Sequence, residues 1–234
     1  MTTFGPAGFR RGFVQAQPLA LGVLAYALTF GLLASDAGLS LLEAALMSTA
    51  VYSGSAQVAT ISGFAANTGM AAAVTTVLML NARYVLYGAA LRPWLGQARP
   101  AQAYASLFVL GDSNWVLAMK AHAAGENDAG YVLGSGLAMF LPWVGGTLAG
   151  ALAGNWIADP RRFGLDFLLL AFCTAMAAGL FRSRAACWPA AAALAVGLGA
   201  HWIAPSGWTI VATGLAGAAV AYWRWQPPAA GAAA

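Results

Sequence analysis

Eight apolar stretches follow one another in this sequence with almost nothing between them: 17–34, 41–65, 69–91, 104–122, 131–157, 165–181, 186–203 and 207–224. A helix needs about 20 apolar residues to cross the hydrocarbon of a bilayer, and the chain supplies such lengths nearly from end to end. The breaks are short and polar or turn-like: Ser35–Ser40, Asn67-Thr68, Gln97–Pro100, Gly125–Gly130, Asp159–Arg162, Arg182–Arg184 and Pro205-Ser206-Gly207. Only 8% of residues are charged, where a soluble domain carries about 25%. No water-facing surface can be built from that, so lipid is the solvent for most of the exterior.

The sequence therefore predicts an all-α integral membrane protein, a polytopic helical bundle. A cytoplasmic N-terminal segment (1–16) leads into a single transmembrane domain (17–225), and a Pro/Ala-rich tail (226–234) is expected to be disordered. No soluble enzyme domain fits beside it. The net charge of +4 comes from scattered residues, which excludes a nucleic-acid patch and leaves orientation as the use of the basic groups. Arg10 and Arg11 precede the first apolar run and no cleavage site follows, so that run is expected to stay as the first span. Cys173 and Cys187 read as small buried hydrophobes, and no CxxC, HExxH or GxxxxGK[ST] motif is present. No metal, cofactor or catalytic group is expected. The 28 glycines suit close helix approach in lipid.

Charge chooses between topologies. If all eight stretches cross from an inside N-terminus, Arg10, Arg11, Lys120, Arg182, Arg184 and Arg224 face inside, against Arg92, Arg99, Arg161 and Arg162 outside. If instead 41–65 and 165–181 enter and leave by the same face, every arginine outside the spans falls inside and only Lys120 remains outside. The second arrangement follows the positive-inside rule far better. It predicts six full spans plus two re-entrant or broken hairpins, with both termini cytoplasmic. Span, hairpin, span, span would then occur twice (17–122 and 131–224), the second copy starting from the opposite face as an inverted repeat.

Polar groups at membrane depth are costly and therefore functional candidates. Tyr52-Ser53-Gly54-Ser55-Ala56-Gln57 lies at the middle of 41–65. Gly54 permits unusual dihedrals, and an interrupted helix leaves free N–H groups that suit a carboxylate. A Ser/Gly packing face is the plainer alternative. Arg83 lies inside 69–91 with Asn81, Tyr84 and Tyr87. It requires a carboxylate, carbonyls or a ligand, unless it snorkels to an interface. Asp112, with Ser113 and Asn114, sits in 104–122. It can be the counter-ion of Arg83, a proton carrier, or a binder of a substrate ammonium. Val58, Leu80 and Phe108 are candidate walls for an aliphatic side chain. His122, His201 and most tryptophans read as interfacial.

The run Ser53-Gly54-Ser55-Ala56-Gln57, followed by Asn81-Ala82-Arg83-Tyr84-Val85-Leu86-Tyr87, resembles the AzlC family of branched-chain amino acid permeases. So does the Gly-rich opening span with Pro18 and Phe30-Gly31, and the resemblance covers roughly 8–224. It implies export of hydrophobic amino acids such as leucine, isoleucine and valine across a bacterial inner membrane. It also implies a small AzlD-like membrane subunit and coupling to protons. The family commonly carries Asp-Glu in the span after the Asn-x-Arg motif, whereas this chain has Asp112-Ser113. That departure puts proton coupling through the pair in question. The alternatives are a passive channel for a small polar solute, a membrane enzyme, and a scaffold subunit.

Overall fold

The computed structural model describes residues 3–65, 69–154, 174, 184–201 and 206–224. Helix is the only repeating structure among them, apart from a single bridge between Thr3 and Asp128. The chain divides into two compact units, Met1–Phe172 and Cys173–Ala234.

The first unit is built on two long helices, α1 (Pro6–Asp36) and α8 (Gly130–Gly154). Small residues recur along both, and the backbones nearly touch. A Cβ on Gly12 would strike the Tyr131 carbonyl, one on Gly134 the Phe9 carbonyl, one on Gly31 the Thr147 carbonyl, and one on Gly150 the Leu28 carbonyl. This is the small-residue packing by which helices associate in lipid. The contacts also fix direction. Phe9 and Gly12 lie beside residues 131–135, Ala27 beside Gly146, Gly31 beside residues 147–151, and Ser35 beside Gly154. α1 and α8 therefore run parallel. Their common start is called here the amino end, and their common finish the far end.

α1 begins at Pro6 rather than at residue 17, so the expected N-terminal segment is mostly helix. At a rise of 1.5 Å per residue, its 31 residues measure about 46 Å, longer than the roughly 30 Å hydrocarbon core.

Between these helices the chain makes two V-shaped excursions. α2 (Leu41–Ala50) starts at the far end, where Leu39 and Ala44 pack with Ala34 and Ala151. It ends near the middle, where the Tyr52 ring meets Phe140 at 4.9 Å. α3 (Gly54–Ala65) then packs along α4 (Gly69–Asn81). The start of α3 lies against Arg83, just beyond the end of α4, so the two run in opposite senses. Only Ala82 separates α4 from α5 (Arg83–Leu95), and α5 finishes at the amino end with Trp94 stacked on His122 and Tyr131. α4 therefore starts toward the far end, and α3 returns there. The stretch 41–65 leaves and re-enters by one end, as the charge count predicts.

α6 (Pro100–Phe108) and α7 (Asp112–Ala123) form the second V. It leaves the amino end beside Leu95, reaches Phe140 through Phe108 at 5.7 Å, and returns to the amino end at His122. The expected full span 104–122 is thus a second hairpin. Two corrections follow. Lys120 lies at the same end as Arg10, Arg11, Arg92 and Arg99 rather than opposite them. Because 104–122 does not cross, α8 begins where α1 began, so the halves 17–122 and 131–224 do not start from opposite ends. The other predicted hairpin, 165–181, lies outside the described residues save for Thr174, as does the tail.

Three helices are long and apolar enough to cross a membrane among the described residues: Pro6–Asp36, Gly69–Leu95 and Gly130–Gly154. In the second unit, α9 (Arg184–His201) and α10 (Ser206–Trp223) run antiparallel, with Gly197 against Thr213, Gly217 against Ala193, and Arg224 over the Trp188 ring at 4.7 Å. Cys187 on α9 is exposed, not buried.

Candidate functional site

The first break in the backbone has local causes. Ser40 and Glu43 cap α2 reciprocally, with Ser40 N–H donating to Glu43 at 2.8 Å. The helix stops at Val51, and Tyr52 takes φ +41°, a left-handed conformation uncommon outside glycine. Tertiary contacts hold it there: Phe140 lies against the ring, and the Tyr84 hydroxyl donates to the Tyr52 carbonyl at 3.4 Å. Gly54 restarts the helix where a Cβ would come within 2.6 Å of the Tyr26 ring and 2.9 Å of Trp143. Only glycine fits that approach.

The second break, Val109–Gly111, separates α6 from α7, and Asp112 opens α7. Gly111 lies 3.5 Å from the Tyr52 ring, measured from the position of an ideal Cβ. The two hairpin tips therefore meet. α3 and α7 start at that meeting point and run away from it to opposite ends. Their first N–H groups have no partner inside their own helices, so two positive dipole ends face one place.

Arg83 joins the tips. Its Nη2 donates to Ser55 Oγ at 3.1 Å and Ser53 Oγ at 3.3 Å, and lies 3.1 Å from Asp112 Oδ2. The Tyr87 hydroxyl donates to the other Asp112 oxygen at 3.1 Å, while its ring stacks on Trp115 at 4.5 Å. The Arg83 and Asp112 side chains remain 33% and 35% exposed. Arg83 thus finds its partners within the protein, midway along Gly69–Leu95.

Of the sequence candidates, Tyr52, Ser53, Gly54, Ser55, Arg83, Tyr84, Tyr87 and Asp112 come together here. Gln57 turns away. It is fully buried, and its Nε2 donates to Ser48 Oγ at 3.0 Å, with Ser48 bonded to Thr147 at 2.8 Å. Asn114 is likewise fully buried and donates to the Val109 and Val132 carbonyls at 3.3 and 3.4 Å. Asn81 ends α4, with its Oδ1 buried and unpartnered. Phe108 is exposed near the tips, whereas Val58 packs in the far-end core with Phe30 and Trp143. Ser48, Thr147, Phe140 and Trp115 were missed. A lone Ser or Thr in an apolar helix usually bonds its own backbone, so nothing in sequence set these apart.

The family model described as AzlC protein matches residues 18–157, which is more than half of the chain. The chain belongs to the AzlC family. Both hairpins and all the residues around Arg83 fall inside that match. An uncharacterized membrane protein of Archaeoglobus fulgidus is 33% identical over 155 residues, 66% of this chain and 67% of the relative. The inner membrane protein YgaZ of Escherichia coli K12 is 28% identical over 195 residues, 80% of this chain and 79% of the relative. An uncharacterized membrane protein of Helicobacter pylori J99 is 24% identical over 163 residues, 70% of this chain and 71% of the relative. No solved structure matches.

The amino end of this AzlC-family chain carries a clasp that has no local signature in the sequence. The buried Asp128 carboxylate accepts from the Gly5, Gly8 and Gly130 N–H groups at 2.8, 2.9 and 3.0 Å, so one side chain caps both α1 and α8. Arg11 makes a two-pronged bond to Glu126 at 2.7 and 2.9 Å. The hydrogen bond from Arg11 is the main reason the Glu126 carboxyl is held below its ordinary range. The clasp sits apart from Arg83, at the end of the helices.

Proposed function

We propose that this chain is a secondary transporter exporting hydrophobic, branched-chain amino acids. One observation carries the reading: a single guanidinium bridges the hydroxyls of one chain break and the carboxylate of an opposed one, between helices too apolar to be soluble. Irregular backbone at membrane depth is tolerated where it lines a cavity, and broken helices mark binding sites in transporters. A zwitterion suits this junction. Its carboxylate would take the unpaired N–H groups at the start of α3 or an arm of Arg83. Its ammonium would take Asp112, and its aliphatic chain would meet Phe108 and the tyrosines.

Asp112 is also the proton carrier in this reading, acting without the second carboxylate that the family commonly has, since Ser113 follows it. The amino end lies in the cytoplasm. Arg10, Arg11, Arg92, Arg99 and Lys120 all lie toward it, while Asp36 and Glu43 are the charged residues toward the far end among those described in the first unit. The inner membrane and a small AzlD-like subunit complete the proposal; the similarity to the inner membrane protein YgaZ of Escherichia coli supports the former.

The test is efflux of radiolabelled leucine and valine from loaded cells expressing the chain with a small partner subunit. Efflux should accumulate against a gradient, collapse with a protonophore, and fall at least about tenfold in Arg83→Ala, the scale of one lost charged hydrogen bond. Flux that ignores the proton gradient and never concentrates solute would replace the transporter by a passive channel, which two opposed chain breaks could also form.

A further inference from the structure

The two hairpins share more than a V shape. The first restarts at Gly54-Ser55-Ala56-Gln57 and the second at Gly111-Asp112-Ser113-Asn114. In each, a glycine stands at the start of the returning helix (first residue of α3, N-cap of α7), the next residue contacts Arg83, and an amide follows three residues after the glycine. The amides also do equivalent things. Gln57 reaches back to Ser48 on the outgoing arm and, through it, to Thr147 on α8. Asn114 reaches back to Val109 at the end of its outgoing arm and to Val132 on α8. Each is fully buried and keeps one carbonyl oxygen without a partner, Gln57 Oε1 and Asn114 Oδ1. A buried amide with an unmet acceptor costs free energy, so neither position is an economical choice for packing alone.

The direction is what differs. The first V leaves from the far end and is tied to the far half of α8. The second leaves from the amino end and is tied to the amino half. With its preceding span, each makes a unit, 6–65 and 69–123, and α1 runs from amino end to far end while α4 and α5 run back. Within 6–123 the two units therefore run in opposite directions.

We infer that Gln57 and Asn114 are equivalent positioning residues that hold the two hairpins closed from opposite sides, so that loosening Gln57 admits solvent from the far end and loosening Asn114 admits it from the amino end. Arg83, contacting both tips, is the shared latch at the centre. The inference rests on the transporter reading for its purpose, but the geometry it predicts is independent of the substrate.

Labelling of a thiol at the tip tests it. Ser53 is buried, so Ser53→Cys in a Cys173→Ala/Cys187→Ala background is a reporter for a membrane-impermeant methanethiosulfonate applied to right-side-out or inverted vesicles. Ser40→Cys and Ala124→Cys mark the far and amino faces in parallel. Gln57→Ala should raise the labelling rate about tenfold or more from the far face alone, and Asn114→Ala by a similar factor from the amino face alone, the effect of shifting a closed population by one hydrogen bond. Loss of packing without this mechanism would open both faces or neither. Opening of the same face by both variants, of both faces by either, or of no face overturns the inference. If the alanine variants do not reach the membrane, Gln57→Asn and Asn114→Asp are read by the same criteria. Opposite-sided opening without leucine efflux would leave this inference standing and remove the substrate reading; normal efflux without sidedness would do the reverse.

Discussion

α1 and α8 form one kind of membrane interface, and α4 with α5 another. α1 and α8 each bury many of their residues, whereas few residues of Gly69–Leu95 are buried. The first pair interlocks backbone to backbone through glycines, with no ionised side chain between its middles. The second is interrupted at Ala82, presents Val74, Leu78, Val85 and Leu86 outward, and carries Arg83 inward. Dispersion and close fit hold a rigid post. A few polar bonds hold the polar junction against it. Tight packing has one low-energy arrangement, whereas a partly open ion pair can exchange one partner for another. The post is suited to stay still while the junction changes.

Substitution on the post should have the largest effect. Gly31→Leu puts a side chain into the Thr147 backbone and should destabilise by about 3 kcal/mol or more. Gly145→Leu on α8, with open space at its Cβ, should lie within about 0.5 kcal/mol of the parent. Thermal unfolding of purified protein in detergent compares them, and equal losses would show that the post is not the rigid element.

At the junction, Asp112→Asn should abolish concentrative efflux while lowering stability by no more than about 1 kcal/mol, because the pair is a third exposed. The double variant Arg83→Ala/Asp112→Ala sharpens this. If the pair only holds helices in register, the double variant regains the efflux lost in Arg83→Ala; the substrate reading requires that it does not.

The clasp gives a smaller, pH-dependent effect. Glu126 is depressed in the folded state, so its contribution is complete above the ordinary carboxylate value of about 4.3 and fades as pH falls through the lower folded value. Glu126→Gln should lower Tm at pH 7, by an amount that shrinks as the pH falls below the ordinary carboxylate range; a difference that grows on acidification contradicts the clasp. Leu86→Ala, on the outward face of α5, should change neither efflux nor Tm.

Much of the site was legible because polar groups in hydrocarbon have few explanations. Arg83 needed partners, and the polar run around Gly54 needed a break; both expectations met in one place. The second hairpin was misread because Asp112 looks like a lone charge in an ordinary span. Nothing in Val109-Leu110-Gly111 announces an unwound turn, since Val and Leu are as common in spans as in tips. Gln57 was assigned to the ligand because the sequence gives its depth but not its direction. Most tryptophans read as interfacial, yet Trp94 and Trp143 are buried, and Trp143 lies in the middle of α8.

By itself, the sequence determined that this chain lives in lipid, that its glycines bring helices into contact, and that Arg83 sits in the apolar interior among polar partners. Those follow from solvation, which depends on composition and local order. Only the tertiary structure decided that α1 and α8 run parallel, that 100–123 turns back, and that Arg83 joins two tips rather than one. Direction and return depend on which distant backbones can approach closely, and that is fixed by packing between residues more than a hundred positions apart.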